Sequence, residues 1–359
     1  MKNTFFLKCL LTVTSIFFLN YQSICHAQNI QSNIDSLLQK QYRPHETGAS
    51  FLIAKKGKII YKKAFGLSNL ELNVPMEPDN VFEIGSITKQ FTAIAILMLM
   101  EEGKLNLEDT ITKFIPDYPH GNKITIHHLL THTSGIKDFT SVDGLNEISK
   151  KDMTPTALIN FFKNEPMDFL PGQQYKYSNS GYILLGYIIE TVSAESYAHF
   201  IEQHIFKKLQ LKNTYYASHK KIINNRASGY QKKDGKYINN TYISFSLPYS
   251  AGSIMSTVTD MYKWNQAIKD NLLISKQTTK KAFTNYTLNN GTHIDYGYGW
   301  HIKTKNNVQR YEHGGSIFGY KSMGVYLPAQ DIYVIGLTNC NCNSPTQITK
   351  EIAQLVAEN

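Results

Sequence analysis

The stretch Val81 to Gly103, VFEIGSITKQFTAIAILMLMEEG, constrains this 359-residue chain more than any other. A short extended piece, Val81–Ile84, runs into Gly85, where the backbone is free to turn, and Ser86 then opens an apolar run with helical potential. From Phe91 to Met100 the run is apolar almost all round, so the helix it predicts must be covered on every side rather than lie on a surface. Lys89 follows Ser86 by three residues, about one helical turn, so the hydroxyl and the ammonium share a face. Polar groups at the mouth of a buried helix are costly to place. A partly desolvated lysine, however, can lose its charge and accept the proton that makes an alcohol a poor nucleophile.

The spacing alone is weak, because Ser-x-x-Lys occurs three times: at Ser86/Lys89, Ser134/Lys137 and Ser218/Lys221. An N-terminal serine beside a snorkelling lysine gives the same pattern. Only the first instance heads an apolar helix; the second lies on a Thr-Ser-Gly turn and the third in the polar run SHKK.

Two further clusters carry chemistry. Pro171 to Tyr182, PGQQYKYSNSGY, is a polar loop running into an apolar helix. In it Tyr177 and Asn179 stand two apart, so a loop can aim both into one cleft. A phenol beside an ammonium is expected to have its pKa lowered enough to exchange protons with a serine or a leaving group. Tyr-x-Asn recurs at Tyr237/Asn239, so this pattern is also weak alone. The third cluster, Glu312-His313-Gly314-Gly315-Ser316, ends a strand. Its paired glycines let a substrate approach the backbone, and the following amide N–H can face a developing oxyanion.

Together these clusters resemble the penicillin-recognising serine hydrolases, the superfamily of serine β-lactamases and D-Ala-D-Ala peptidases. The likeness is greatest to the branch of class C β-lactamases, D-aminopeptidases and related esterases. Ser86-Ile87-Thr88-Lys89 matches the nucleophile motif and Tyr177-Ser178-Asn179 the second motif, while His313-Gly314-Gly315 stands where Lys-Thr-Gly is commoner. The segments LLTHTSGI (129–136), AGSIMSTVTDMYKW (251–264) and YGYGW (296–300) agree, in order along nearly the whole chain.

The resemblance implies an α/β fold of the β-lactamase/transpeptidase type, an antiparallel sheet flanked by helices with an inserted, mainly helical domain. It implies Ser86 as the nucleophile, Lys89 and Tyr177 sharing general-base work, and Asn179, His313, Gly314 and Gly315 binding substrate. The N–H groups of Ser86 and Ser316 would form the oxyanion hole. No cofactor or metal is called for, and the substrate is a small molecule or peptide. The implied enzyme hydrolyses amide or ester bonds, in D-amino-acid or peptidoglycan-derived peptides. A carboxylesterase of small acyl chains and a penicillin-binding sensor that acylates without turnover are the alternatives.

The departure at the third motif bears on specificity. A neutral His313 (ordinary pKa about 6.5) replaces a permanent cation, and a charge-assisted contact to a carboxylate contributes roughly 1.5–3 kcal/mol. Weak β-lactam turnover and a preference for substrates lacking that carboxylate are therefore expected, unless Arg310 or Lys321, near in sequence, restores the charge.

The rest of the chain frames this site. Helical spacing marks residues 30–42 and 345–358. A hairpin is predicted at Ala49–Ala54 and Ile59–Phe65, and four strands over Asp295–Lys303, Val308–His313, Gly319–Leu327 and Ile332–Thr338. Strands at both ends and helices between predict one discontinuous domain, residues 28–90 with 250–359, and a helical one, 91–249. Residues 1–27 read as a signal peptide: Lys2 and Lys8, the apolar stretch Cys9–Leu19, and a small residue, Ala27, before the cut. Export to the periplasm or the medium follows, with no transmembrane segment once the signal is removed. Its removal leaves 35 Lys and Arg against 28 acidic residues, a net charge of +7. The lysines are scattered, which argues against nucleic acid as a partner. Export also leaves only Cys340 and Cys342, two apart, to form a small disulfide or remain thiols. His127, His128 and His132 lack a His-Glu-x-x-His arrangement and are assigned to packing.

Overall fold

The computed structural model describes residues 30–305 and 307–359; the signal-peptide reading of 1–27 lies outside them. Six antiparallel strands form the central sheet: β1 (Ala49–Lys55), β2 (Lys58–Phe65), β3 (His301–Lys305), β4 (Val308–Ile317), β5 (Tyr320–Leu327) and β6 (Ile332–Thr338). Their order across the sheet is β3-β4-β5-β6-β1-β2, so the first hairpin is joined to the last strands by pairing of β1 with β6. Lys56 and Gly57 both take positive φ, +52° and +74°, which is the turn geometry that matches strand twist in a two-residue hairpin.

β6 is buried along its whole length and β1 along all but its last residue, because both faces of the sheet are covered. The period-two side-chain alternation splits them between two cores. Phe51, Ile53, Ile332 and Val334 pack against the terminal helices α1 (residues 30–41) and α5 (Thr346–Glu358), through Ile34, Leu38, Ile348, Ile352 and Val356. Leu52, Ala54, Ile335 and Leu337 face the opposite, larger core.

That larger core holds α2 (Thr88–Glu101), whose residues from Thr88 to Leu99 are all buried. Beside it lie α3 (Asn179–Ser193) and α4 (Val258–Lys269). Phe91 of α2 stacks on Trp264 of α4 with ring centroids 4.0 Å apart, and the indole N–H donates to Gln90 Oε1 at 3.0 Å. α2 is thus held by contacts on every side, as an all-apolar helix requires.

β3 begins at His301 rather than Asp295. Gly299, at φ +88°, packs directly on the α2 backbone, where a Cβ would lie 2.9 Å from the Gln90 Cα, and the strand starts only beyond it. Cys340 and Cys342 are disulfide-bonded. Among the described residues no helix is long and apolar enough to cross a membrane.

Candidate active site

Ser86 sits on a single 3-10 turn, Gly85–Ile87, that leads directly into α2. Gly85 adopts φ +52°, and a Cβ there would come 3.0 Å from the Ser316 backbone N. On β4, a Cβ at Gly315 would meet the Ile84 carbonyl oxygen at 1.9 Å. Glycine at both positions is what lets β4 lie against the Ser86 turn, and Ser322 Oγ of β5 fastens the contact by donating to Ile84 O at 2.8 Å. The amides of Ser86 and Ser316 are thereby brought to one place.

Lys89, the second residue of α2 and three residues beyond Ser86, is completely buried. Its Nζ lies 3.2 Å from Ser86 Oγ, 2.8 Å from Asn179 Oδ1 and 2.9 Å from the Ala251 carbonyl oxygen. Burial pulls its pKa down to about 7, against an opposing pull from the Asp138 carboxylate. An amine so poised is part neutral at pH 7 and can take the proton of the adjacent hydroxyl.

Tyr177 comes from the loop before α3, and its ring packs 4.8 Å below Lys89 Nζ. The ring keeps a partly exposed edge, but its hydroxyl is shut off from solvent and has no hydrogen-bond partner of normal geometry. Burial drives the phenol well above its usual pKa, with only a weaker downward pull from nearby Ser86. The expectation of a lowered phenol pKa is therefore reversed: desolvation outweighs the neighbouring ammonium, which lies against the ring face rather than the oxygen. Such a phenol is a proton donor at every physiological pH.

His132 stacks on Tyr177 at 4.2 Å, and its Nδ1 accepts from the Ser178 N–H at 3.1 Å, fixing the turn between Tyr177 and Asn179. Asn179 begins α3, and its Nδ2 donates to Asp138 Oδ2 at 3.0 Å. His313 on β4 is also buried: Nδ1 lies 2.6 Å from its own neighbour's carbonyl, Gly314 O, and Nε2 lies 3.1 Å from the Tyr296 hydroxyl. Because that carbonyl only accepts, Nδ1 is the nitrogen that carries a hydrogen. Burial, with His301 and Lys89 nearby, keeps its pKa well below the usual value.

The cleft divides at Ser86. One side, about 650 Å³, is lined by Asn179, Phe139, Leu145, Ile243, Leu247 and Phe318 among others. The other, about 300 Å³, holds Tyr177, His313, Gly314, Gly315, Ser316 and Lys321. Arg310 belongs to neither; it lines a separate cavity beside α5 with Lys350, both facing Glu312. Lys321, opposite Ser316 in the β4–β5 register, is in no ion pair among the described residues, whereas Lys303 and Lys350 are paired.

Of the residues predicted from sequence, Ser86, Lys89, Tyr177, Asn179, His313, Gly314, Gly315 and Ser316 all meet around this cleft. Asp138, Ala251, His132 and Tyr296 complete it and carried no sequence signal of their own beyond lying in or beside segments noted above. His127 bonds the Tyr298 hydroxyl at 2.8 Å, and His128 caps its own short helix through Thr125. Among the described residues no group of His, Cys, Asp and Glu is arranged to hold a metal.

The Ser86 turn packed on a buried helix, with an antiparallel sheet edge beside it, fits a serine hydrolase of the β-lactamase-related, penicillin-binding-protein type. Residues 30–358 match the beta-lactamase family, and the chain belongs to it. It is 30% identical over 311 residues to penicillin-binding protein 4* of Bacillus subtilis (strain 168), covering 82% of this chain and 69% of that protein. The fold superposes on the octameric penicillin-binding protein homologue from Pyrococcus abyssi with a TM-score of 0.78 at 31% identity, over 92% of this chain and 78% of that one. D-amino acid amidase from Ochrobactrum anthropi SV3 shares the fold, with a TM-score of 0.79 at 24% identity over 93% and 98% of the two chains.

Proposed function

We propose that the protein is an exported hydrolase of amide bonds that works through an acyl-enzyme on Ser86, with D-amino-acid or peptidoglycan-derived peptides as substrates. The observation that carries this reading is the contact of a buried Lys89 Nζ with Ser86 Oγ at 3.2 Å, at the junction of two subsites. Lys89 takes the serine proton as Ser86 attacks the carbonyl. The Ser86 and Ser316 amides hold the oxyanion, and Tyr177, kept protonated by burial, delivers a proton to the leaving nitrogen. Water then attacks the acyl-enzyme with the same groups acting in reverse.

A proton donor belongs on the leaving-group side, so the smaller subsite with Tyr177 takes the leaving group and the larger one, which mixes apolar with polar side chains, takes the acyl group. This placement revises the carboxylate argument made from His313 alone. Lys321, on the smaller side and in no ion pair among the described residues, supports binding of a carboxylate-bearing leaving group, while Arg310 is engaged elsewhere. The cleft draws Ser86 and Tyr177 from the two segments expected as a sheet domain, 28–90 with 250–359, and a helical domain, 91–249, although α2 runs unbroken across the 90/91 boundary.

The test is an intact-mass time course with a chromogenic cephalosporin, a D-aminoacyl anilide and a p-nitrophenyl ester. The expected result is a transient adduct on Ser86 with turnover, fastest relative to the uncatalysed rate for the anilide, and neither adduct nor turnover in Ser86→Ala. A persistent adduct would mark a sensor, and turnover confined to the ester would mark a carboxylesterase.

A further inference from the structure

We propose that Asp138 is a positioning residue for proton transfer: it holds the Asn179 side-chain amide in one orientation and so keeps one face of the Lys89 amine open to the Ser86 hydroxyl. This rests on the reading of Ser86 and Lys89 given above.

Asp138 lies forty-one residues before Asn179 in the chain, in the loop that caps the short turn Phe139–Ser141. Its two oxygens have separate partners. Oδ1 accepts from the Thr140 N–H and Oγ, both at 3.0 Å, which fixes the carboxylate on its own loop. Oδ2 accepts from Asn179 twice, from the backbone N–H at 3.2 Å and from Nδ2 at 3.0 Å. A carboxylate only accepts, and a side-chain amide has one donating and one accepting end. Nδ2 must therefore face Asp138, and Oδ1 must face Lys89, 2.8 Å away.

The consequence falls on the amine. Of the three oxygens around Lys89 Nζ, Asn179 Oδ1 and Ala251 O can only accept, and Ser86 Oγ alone carries a proton. A neutral amine has two N–H bonds and one lone pair. The two hydrogens go to the two obligate acceptors, and the lone pair is left toward Ser86. Were the Asn179 amide reversed, its NH2 would donate to that lone pair. The amine would then turn a hydrogen toward Ser86 and could not act as its base.

Asp138 is also the carboxylate that acts on Lys89. The other groups packed around the amine are the rings of Tyr177 and Tyr182, at 4.8 and 5.5 Å, and the histidines His132 and His313, both held neutral by burial. Removing the carboxylate takes away the one opposing pull on a base already lowered by burial, so its pKa falls further.

The experiment is a pH profile of kcat/KM for the full chain on a p-nitrophenyl ester, followed at the isosbestic wavelength, in Asp138→Asn, Asn179→Ala and the double variant. In Asp138→Asn the plateau is expected to fall about tenfold or more, a share of the roughly 10²–10⁴ that a positioned base contributes. Its ascending limb is expected to move to lower pH. In the Asn179→Ala background the same substitution should cost almost no further plateau activity, because no amide remains to be oriented, while the shift of the limb persists. An unmoved limb with losses that simply multiply would make Asp138 a structural residue and overturn the proposal. If thermal melts show Asp138→Asn unfolded, Asp138→Glu takes its place: it keeps the charge and should keep the limb while losing plateau, and a displaced limb there overturns the proposal equally. An active Ser86→Ala would sink the underlying reading as well, whereas an inert one beside an unmoved Asp138→Asn limb sinks this inference alone.

Discussion

The two sides of the cleft at Ser86 are built from different parts of the chain and by different rules. The larger side takes its walls mainly from the middle of the sequence, Phe139, Leu145, Ile243 and Leu247, with Phe318 closing it. The smaller side takes half of its lining residues from β4 and β5, where His313, Gly314, Gly315, Ser316 and Lys321 lie within two paired strands. The apolar side chains of the larger side select by size and shape, beside polar ones such as Asn179 that hold a fixed hydrogen bond. Those on the smaller side offer a phenol, an ammonium or the absence of a Cβ, and are expected to act through those groups rather than through size. The Ser86 turn thus separates a broad surface rich in apolar side chains from a narrow one built on paired strands.

The largest test breaks both sides at once. Lys89→Met should lower kcat/KM by about a thousandfold or more for every substrate, within the range expected for loss of a general base. Thermal stability should hold or rise in the same variant, because an ionisable group is removed from a fully buried site. Calorimetry beside the kinetics checks both halves.

Tyr177→Phe separates the sides. It should cost about 10²–10³-fold on an anilide, whose nitrogen must be protonated to leave, and far less on a p-nitrophenyl ester, whose phenolate leaves unaided. Equal losses on the two substrates would remove Tyr177 from the leaving-group side.

Lys321→Met sharpens the smaller side. With esters that differ only in the presence of a carboxylate on the phenol, it should lower kcat/KM about 10–100-fold for the charged ester and leave the neutral one unchanged. On the larger side, Leu247→Ala should cost about tenfold for a phenylacetyl ester and little for an acetyl ester, in keeping with the modest discrimination an apolar wall provides.

The pH dependence follows from Lys89. Its folded-state pKa of about 7 lies below that of the unfolded chain, so the neutral amine accumulates as pH rises through 7 and activity is expected to climb with it. Stability moves in the same sense. From about pH 7 to the ordinary lysine value of about 10.4 the unfolded chain binds more protons at this position, so its contribution rises with pH across that window and is at its lowest below it. A wild-type profile with no inflection near pH 7, and one that Lys89→Met leaves unchanged in stability, would contradict the assignment.

Much of this was legible beforehand. The apolar face-all-round pattern of Phe91–Met100 required a helix sealed in a core, and it is sealed. Alternation and turn residues located the hairpin Ala49–Phe65 and the strands from Val308 to Thr338. The start of β3 was placed six residues early, since Gly299 looks like an ordinary strand residue until it is seen pressed against α2.

The sequence by itself determined the Ser86 turn, the sheet from both ends of the chain and the family, because those depend on short-range periodicity and on motifs whose members are neighbours. Only the tertiary structure decided which way the Tyr177 pKa moves, that Lys321 rather than Arg310 faces the cleft, and that Asp138 aims Asn179. Each of these depends on burial and on donors and acceptors brought together from distant positions, and a hydrogen bond has direction that no spacing along a chain records.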